Sequence, residues 1–244
     1  MKMTETEFFQ KLQKSFCDNA FPDPSKAEAH AFYLLLNELL EANKVTNLTA
    51  ITDPDQIIAK HFVDSLLGCE QIPKGAAVLD LGCGAGFPSL PLAIHRPDLT
   101  LIALDSTAKK VAFVQKTAEK LQLSNLKTLI GRAEDPALKK QIGHIDLVVS
   151  RAVARLNLLC ELSFPLLPIG GALFALKGAK GQEELAEAQK AVKILGGSSP
   201  VCASKQLRLL DGTIEERSLI WIPKTKETPK EYPRSFAIMQ KKPL

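Results

Sequence analysis

The sequence reads as an α/β protein: a largely parallel sheet of about seven strands, covered by helices on both faces and preceded by a helical cap. Three observations carry this reading. From residue 76 onward, short apolar runs alternate with amphipathic stretches, the pattern of strand–helix–strand units. The first of these runs ends in a glycine-rich turn that leads into a helix, VLDLGCGAGFPSLPLA (Val78 to Ala93). Residues 5 to 68, by contrast, show helical spacing with no strand alternation.

The elements follow in order. KAEAHAFYLLLNELLEAN (Lys26 to Asn43) carries apolar residues at three-and-four spacing behind Pro24-Ser25, a helix start. The linker KVTNLTAITDPDQ leads to a second helical piece, QIIAKHFVDSLLG. AVLDLG is the first strand, and FPSLPLAIH a short helix with Pro88 in its first turn. LTLIALD is the second strand; STAKKVAFVQKTAEKLQL is an amphipathic helix capped by Ser106 or Thr107. LKTLIG and HIDLVVSRAV are further strands, LNLLCELSFPLL a helix, GGALFALKG the fifth strand and GQEELAEAQKAVKILGG a helix. SKQLRLL and ERSLIWIPK pair as a hairpin around Asp211-Gly212, so one of the last two strands runs antiparallel to the others. Beyond Pro223 the chain holds six Lys or Arg against two Glu and reads as a basic tail, extended or loosely packed. The expected organisation is a helical cap over 1–70, a sheet domain over 71–223 and a basic tail over 224–244.

The 244 residues are 45% hydrophobic and 24% charged, which suits a folded globule and not a disordered chain. No apolar run reaches the roughly eighteen residues of a membrane span. MKMTETEFFQ lacks the apolar stretch of a signal peptide, so a cytoplasmic location and no membrane partner are expected. The net charge of +4 permits a polyanionic partner without requiring one. Cys17, Cys69, Cys83, Cys160 and Cys202 are scattered and form no CxxC pair, so neither a disulfide framework nor a metal site is expected. No interface stripe is evident, and a monomer is expected.

Gly82, Gly84 and Gly86 follow a strand and precede a helix, so the backbone can turn sharply and lie against a ligand. Asp105 ends the second strand, nineteen residues past Gly86, where a carboxylate accepts from both hydroxyls of a ribose. These features suit NAD and S-adenosylmethionine alike. The third glycine, however, falls one position earlier than in GxGxxG, and Asp80 stands just before the loop. A carboxylate there favours an ammonium- and sulfonium-bearing ligand over a pyrophosphate. Glu134 in GRAED (131–135) can read an adenine edge. Arg151 stands at the mouth of the fourth strand, suited to a nucleic-acid phosphate or base, or to a pair with a core carboxylate. His61 and Asp64, three residues apart, share a helix face, either fixing the cap or lining the substrate side. Asn47 suits a turn between helices. Cys83 has no neighbouring His, which argues against a cysteine nucleophile.

In NLTAITDPDQIIAKHFVDSL (47–66), VLDLGCGAGFPSLPLAI (78–94), LDSTAKKVAFVQ (104–115), GRAED (131–135), DLVVSRAVARL (146–156) and GGALFALKG (170–178), the chain resembles the RsmG (GidB) family of small-subunit rRNA guanine-N7 methyltransferases. The similarity spans roughly residues 26 to 244, and the combination of NLT, His61/Asp64/Ser65 and SRAV is highly specific. The resemblance implies a Rossmann-like, seven-stranded S-adenosylmethionine-dependent methyltransferase fold. It implies methyl transfer to N7 of guanosine 527 of 16S rRNA, with S-adenosylhomocysteine as product and the rRNA or small subunit as partner. It implies cofactor contacts at Gly82, Phe87, Ala133, Glu134 and Arg151, and substrate-side roles for Asn47, His61, Arg132, Lys177 and Arg217. In the tail, YPR and KKPL match the family ending, whereas SFAIMQ (Ser235 to Gln240) has lost one positive charge, a glycine and a proline. Guanine N7 bears a lone pair and no proton, so no general acid or base is expected. The alternatives are a methyltransferase acting on another RNA site, a small molecule or a protein; an NAD-dependent oxidoreductase; and an RNA-binding assembly factor with a vestigial pocket. The early third glycine argues against the oxidoreductase, and the intact loop with Asp105 against a vestigial pocket.

Overall fold

A computed structural model describes residues 3–244; the first two residues of the expected cap lie outside the described residues. α1 (Glu5–Asp18) starts in a capping box: Thr4 accepts from the Glu7 N–H, and the Glu7 carboxylate accepts from the Thr4 N–H. Ser25 caps α2 (Lys26–Asn43) through the Glu28 N–H. Asp53 and Pro54 open α3 (Pro54–Ile57), which runs into a π-helical stretch (Ile58–Val63) and then α4 (Asp64–Leu66). The sheet region follows as β1 (Ala77–Leu81), α5 (Ser89–His95), β2 (Thr100–Asp105), α6 (Ala108–Lys120), β3 (Leu126–Ile130), α7 (Pro136–Ile142) and β4 (Leu147–Arg151). It continues through α8 (Leu156–Ser163), β5 (Ala172–Gly178), α9 (Gly181–Leu195), β6 (Val201–Arg208), β7 (Ile214–Pro223) and α10 (Phe236–Lys241). Among the described residues no helix is long and apolar enough to cross a membrane.

The seven strands lie in the order β3-β2-β1-β4-β5-β7-β6, and β7 alone runs antiparallel to both of its neighbours. The strand order reverses between β1 and β4, which pair directly through Val78↔Leu147 to Asp80↔Val149. The crevice at the carboxyl ends of those two strands is where open α/β sheets bind ligands. Side chains alternate across the sheet. Val78, Leu101, Val149 and Phe174 join a core shared with the cap, while Leu79, Leu81, Val148 and Leu173 join a second core with α8 and α9. The cap therefore has no core of its own. A chain of rings links its outer helix to the glycine loop: Phe8 to Phe62 at 6.5 Å, Phe32 to Phe62 at 5.2 Å and Phe62 to Phe87 at 6.3 Å.

Three features depart from the sequence expectations. α7 was not foreseen: Asp135 accepts from the Ala137 N–H and Pro136 takes the first helical position, so the Asp-Pro pair starts a helix after GRAED. At α6 neither Ser106 nor Thr107 caps with its hydroxyl; the Asp105 carboxylate accepts from the Thr107 N–H instead. The tail is neither extended nor loosely packed. Lys224 is buried and donates through Nζ to the Phe164 and Leu167 carbonyls at the end of α8. Arg234 donates from its backbone N and from Nε and Nη2 to Glu161, only 1% exposed, and Met239 is wholly buried. A buried carboxylate must be paired, and Arg234 is the residue that pairs it.

Arg234→Ala strands that carboxylate in the interior. The expected loss is roughly 3 kcal/mol of unfolding free energy, read as a lower midpoint in urea. An unchanged midpoint would show that the tail does not stabilise the fold.

Candidate functional site

The loop after β1 is bound to the end of β2: the Gly82 and Cys83 N–H groups both donate to the Leu104 carbonyl, and the Gly84 N–H donates to Asp105 Oδ2 at 3.0 Å. Its three glycines do different work. A Cβ on Gly82 would lie 2.4 Å from Val153, and one on Gly86 2.4 Å from Leu90, so these two permit close packing. A Cβ on Gly84 would meet nothing within 4 Å; with φ at +54°, this residue faces open space.

That space is a cavity of about 500 Å³ across the β1/β4 crevice. Its walls are the glycine loop with Phe87, Asp105 to Thr107 with Lys110, Gly131 to Glu134, Arg151 to Val153, and Leu48, Thr49 and His61 from the cap. Leu162 and Phe236 close another side. A second cavity of about 560 Å³ shares His61, Arg151, Ala152 and Val153 with the first and adds Asp64, Lys177, Glu184 and Arg217.

Arg151 forms the partition between the two. Its Nη1 donates to the Lys60 carbonyl at 2.7 Å and to Asp64 Oδ2 at 3.1 Å, and its Nη2 donates to His61 Nδ1 at 3.3 Å. Because Nδ1 accepts, Nε2 carries the imidazole proton and donates to Thr49 Oγ1 at 2.8 Å. The His61 ring stacks on Phe87, 4.5 Å between centroids and 11° between planes. Burial, and then the neighbouring Arg151, push the His61 pKa down to about 4, so the ring is neutral. Asp64 turns its other oxygen to Arg217 Nε at 2.8 Å, and Arg217 Nη2 reaches Glu215 at 2.7 Å. Lys177 pairs with Glu184 at 2.8 Å and donates to the Ala154 carbonyl.

The structure thus gathers Gly82, Gly84, Phe87, Asp105, Arg132, Ala133, Glu134, Arg151 and His61 around the first cavity, and Lys177 and Arg217 around the second. Three expected residues stand elsewhere. Asp80 lies beneath the loop, wholly buried, with Oδ2 accepting from the Ser89 N–H; burial raises its pKa to about 7. It lines neither cavity, and nor does Gly86. Asn47 is exposed and outside both cavities. The turn expected of it is made by Asn43, whose Oδ1 accepts from the Leu48 and Thr49 N–H groups at 2.8 and 3.0 Å. His61 and Asp64 do share a face, but they meet on Arg151 and not on each other. Arg151 takes the core-carboxylate pairing, with Asp64. Thr49, Lys110, Leu162 and Phe236 were missed. Thr49, Lys110 and Phe236 lie inside segments already singled out; nothing local marks Leu162.

A family model described as GidB, rRNA small subunit methyltransferase G, matches residues 28–210. The chain belongs to this family. Curated GidB-family relatives named ribosomal RNA small subunit methyltransferase G are similar over most of the chain. The protein of Lactobacillus acidophilus is 40% identical over 99% of this chain and 100% of its own. That of Lactobacillus johnsonii is 44% identical over 87% of this chain and 90% of its own, and that of Brevibacillus brevis 41% identical over 99% and 100%. Among solved structures, the Bacillus subtilis protein YcgJ shares the fold with a TM-score of 0.51 and 14% identity, covering 68% of this chain and 100% of that one. The Agrobacterium tumefaciens protein Atu636, a predicted O-methyltransferase, gives 0.51 at 13% identity, covering 68% and 81%.

The lowered pKa of His61 means that the unfolded state binds its proton first, so folded stability falls as pH drops from 6.5 toward 4. His61→Gln keeps an acceptor and a donor but cannot titrate. Relative to this variant, the wild type should lose up to roughly 3 kcal/mol across that window. Urea titrations at each pH measure the difference, and parallel curves would refute the neutral, buried ring.

Proposed function

We propose that this protein transfers a methyl group from S-adenosylmethionine to N7 of a guanine in small-subunit rRNA, at guanosine 527 of 16S rRNA. The observation that carries the reading is the pair of adjoining cavities divided by Arg151, one suited to the methyl donor and the other to a base.

The first cavity fits the donor residue by residue. Asp105 spends one lone pair of each oxygen on the Gly84 and Thr107 N–H groups and keeps the others for ribose hydroxyls. The open space over Gly84 admits a ligand against bare backbone. Ala133 and Glu134 offer an apolar face and a carboxylate for an adenine ring and its amino group. S-adenosylmethionine, bound there, supplies an electrophilic methyl group on a sulfonium. Phe87 and His61 wall off the end where the two cavities meet and exclude water.

The second cavity holds cations that are each paired with a carboxylate, Asp64 being shared with Arg151 and Glu215 with Lys60. Asp64 and Glu215 offset Arg217, and Glu184 offsets Lys177. A bare cation facing N7 would oppose the positive charge that grows on the base; these paired groups do not. Arg151 commits three of its five donors to the Lys60 carbonyl, Asp64 and His61, which holds its guanidinium against the cap. The N7–carbon bond forms as the carbon–sulfur bond breaks, and the electron pair stays on sulfur. No proton moves, which accords with His61 being neutral, donor-paired and buried. Rate enhancement then rests on alignment of the two reactants. Arg132 pairs with Glu134 at 3.5 Å but keeps its side chain 64% exposed at the rim, within reach of phosphate, so RNA binding should weaken as salt rises.

The deciding experiment offers labelled S-adenosylmethionine and small-subunit particles lacking N7 methylation, and maps the modified nucleotide. A single N7-methylguanosine at position 527 is expected; methylation elsewhere, or none, would overturn the assignment. Asp105→Ala should weaken S-adenosylmethionine by roughly 1.5–3 kcal/mol for each charged hydrogen bond lost. Calorimetry checks this, and full affinity in the variant would move the ribose elsewhere.

A further inference from the structure

We infer that the Thr49 hydroxyl holds the amino-acid carboxylate of the methyl donor, as the last link of a hydrogen-bond chain that begins at Arg151. The inference deepens the function proposed above and rests on it.

The hydrogen bonds at Thr49 leave its hydroxyl one task. Arg151 Nη2 donates to His61 Nδ1, which puts the imidazole proton on Nε2, and Nε2 donates to Thr49 Oγ1 at 2.8 Å. The Ile51 backbone N–H donates to the same oxygen at 3.1 Å. A hydroxyl oxygen has two lone pairs and one hydrogen. Both lone pairs are taken, and among the described residues no group accepts the hydrogen. Thr49 lines the donor cavity, so its hydrogen is available to a ligand there. The chain runs one way, from guanidinium to imidazole to hydroxyl, and each bond polarises the next. Thr49 thereby presents a donor strengthened by a cation two hydrogen bonds behind it.

Position and charge select the acceptor. Thr49 is bonded to His61, which lines both cavities, and to Ile51, which lines only the second, so it stands at the end where the two meet. With the ribose on Asp105, that end takes the sulfonium and the amino-acid arm of the donor. Two acceptors come within its scope, the donor's carboxylate and O6 of the base. Thr49 itself borders the donor cavity and not the second one, which favours the carboxylate. The charges of the walls agree. Asp105 and Glu134 repel an anion; Arg132 is already paired with Glu134, and Lys110 belongs to the first turn of α6, the helix that follows Asp105. The cap wall of Leu48, Thr49 and His61 has no acidic group. A hydrogen bond to O6 would, in addition, draw electrons away from the N7 lone pair that must attack.

The test is calorimetric titration of the full chain with S-adenosylmethionine and, separately, with decarboxylated S-adenosylmethionine, which keeps the sulfonium and the ammonium and lacks only the carboxylate. Thr49→Val preserves the shape and removes the donor. It should raise the dissociation constant for S-adenosylmethionine by about tenfold and leave that for the decarboxylated ligand within about twofold of the unaltered protein. Thr49→Ser returns the hydroxyl and should restore most of the affinity. Thr49→Cys, whose thiol donates weakly, carries the test if the valine variant fails to fold, with the same contrast between ligands and a loss of at least about threefold. Equal losses for both ligands would overturn the inference, since Thr49 would then only support His61. Unchanged affinity for S-adenosylmethionine would overturn it too; a fall in small-subunit methylation alongside would give the hydroxyl to the base. Unaltered protein that binds neither ligand would sink the donor-site reading itself, a result distinct from any of these.

Discussion

A guanidinium set at the switch point of the sheet must be paired or the interior will not hold it. Arg151 comes from β4, and all of its partners come from the cap: the Lys60 carbonyl, the His61 ring and the Asp64 carboxylate. One charged group therefore binds the cap to the sheet and divides the two cavities. The π-helical stretch from Ile58 to Val63 belongs to the same arrangement, since it carries both Lys60 and His61 toward β4. Phe87 then lies between this cluster and the aromatic core of the cap, with the arginine 5.6 Å from its ring centroid.

What could be read from the sequence was what is encoded locally. Buried parallel strands are largely continuous apolar runs, so β1, β2, β4 and β5 stand out, and Asp211-Gly212 announces the hairpin. Gly84 and Asp105 are legible because a backbone turn and a ribose acceptor require those residue types at those strand ends. The short helices α7 and α10 are not, because they are held by a cap and by packing more than by any periodic stripe. The partners of Arg151 were equally hidden: Asp64 and His61 lie 87 and 90 residues upstream, and no spacing rule links them. In the tail, counting charges concealed Met239 and Phe236, the two apolar residues whose burial keeps it in place.

The floor of the donor site is costly to maintain. Asp80 is wholly enclosed, and one of its carboxylate oxygens has no protein partner. Its pKa near 7 sits well above the ordinary carboxylate range, so the folded state retains a proton that the unfolded chain would release, and this residue costs stability progressively as pH rises from about 4 to about 7. His61 acts in the opposite direction, weakening the fold as pH falls. Two buried titratable groups thus act on stability in opposite directions over the same range, between about pH 4 and 7.

The single antiparallel strand has a consequence for how the protein tolerates insertions and deletions. Parallel strands bring residues to the crevice at their far ends, but β7 brings Arg217 near its beginning, shortly after the hairpin turn and opposite Gly178 of β5. Its neighbours in the chain are Glu216 and Ser218. A frame slip of one residue along β5 would flip every side chain of β7 to the other face. It would set Glu216 or Ser218 at the position that faces Asp64, leaving that carboxylate opposite either another acid or a neutral hydroxyl. A length change in the 209–213 turn that shifted this strand would therefore act on the site as a charge mutation, with no site residue altered.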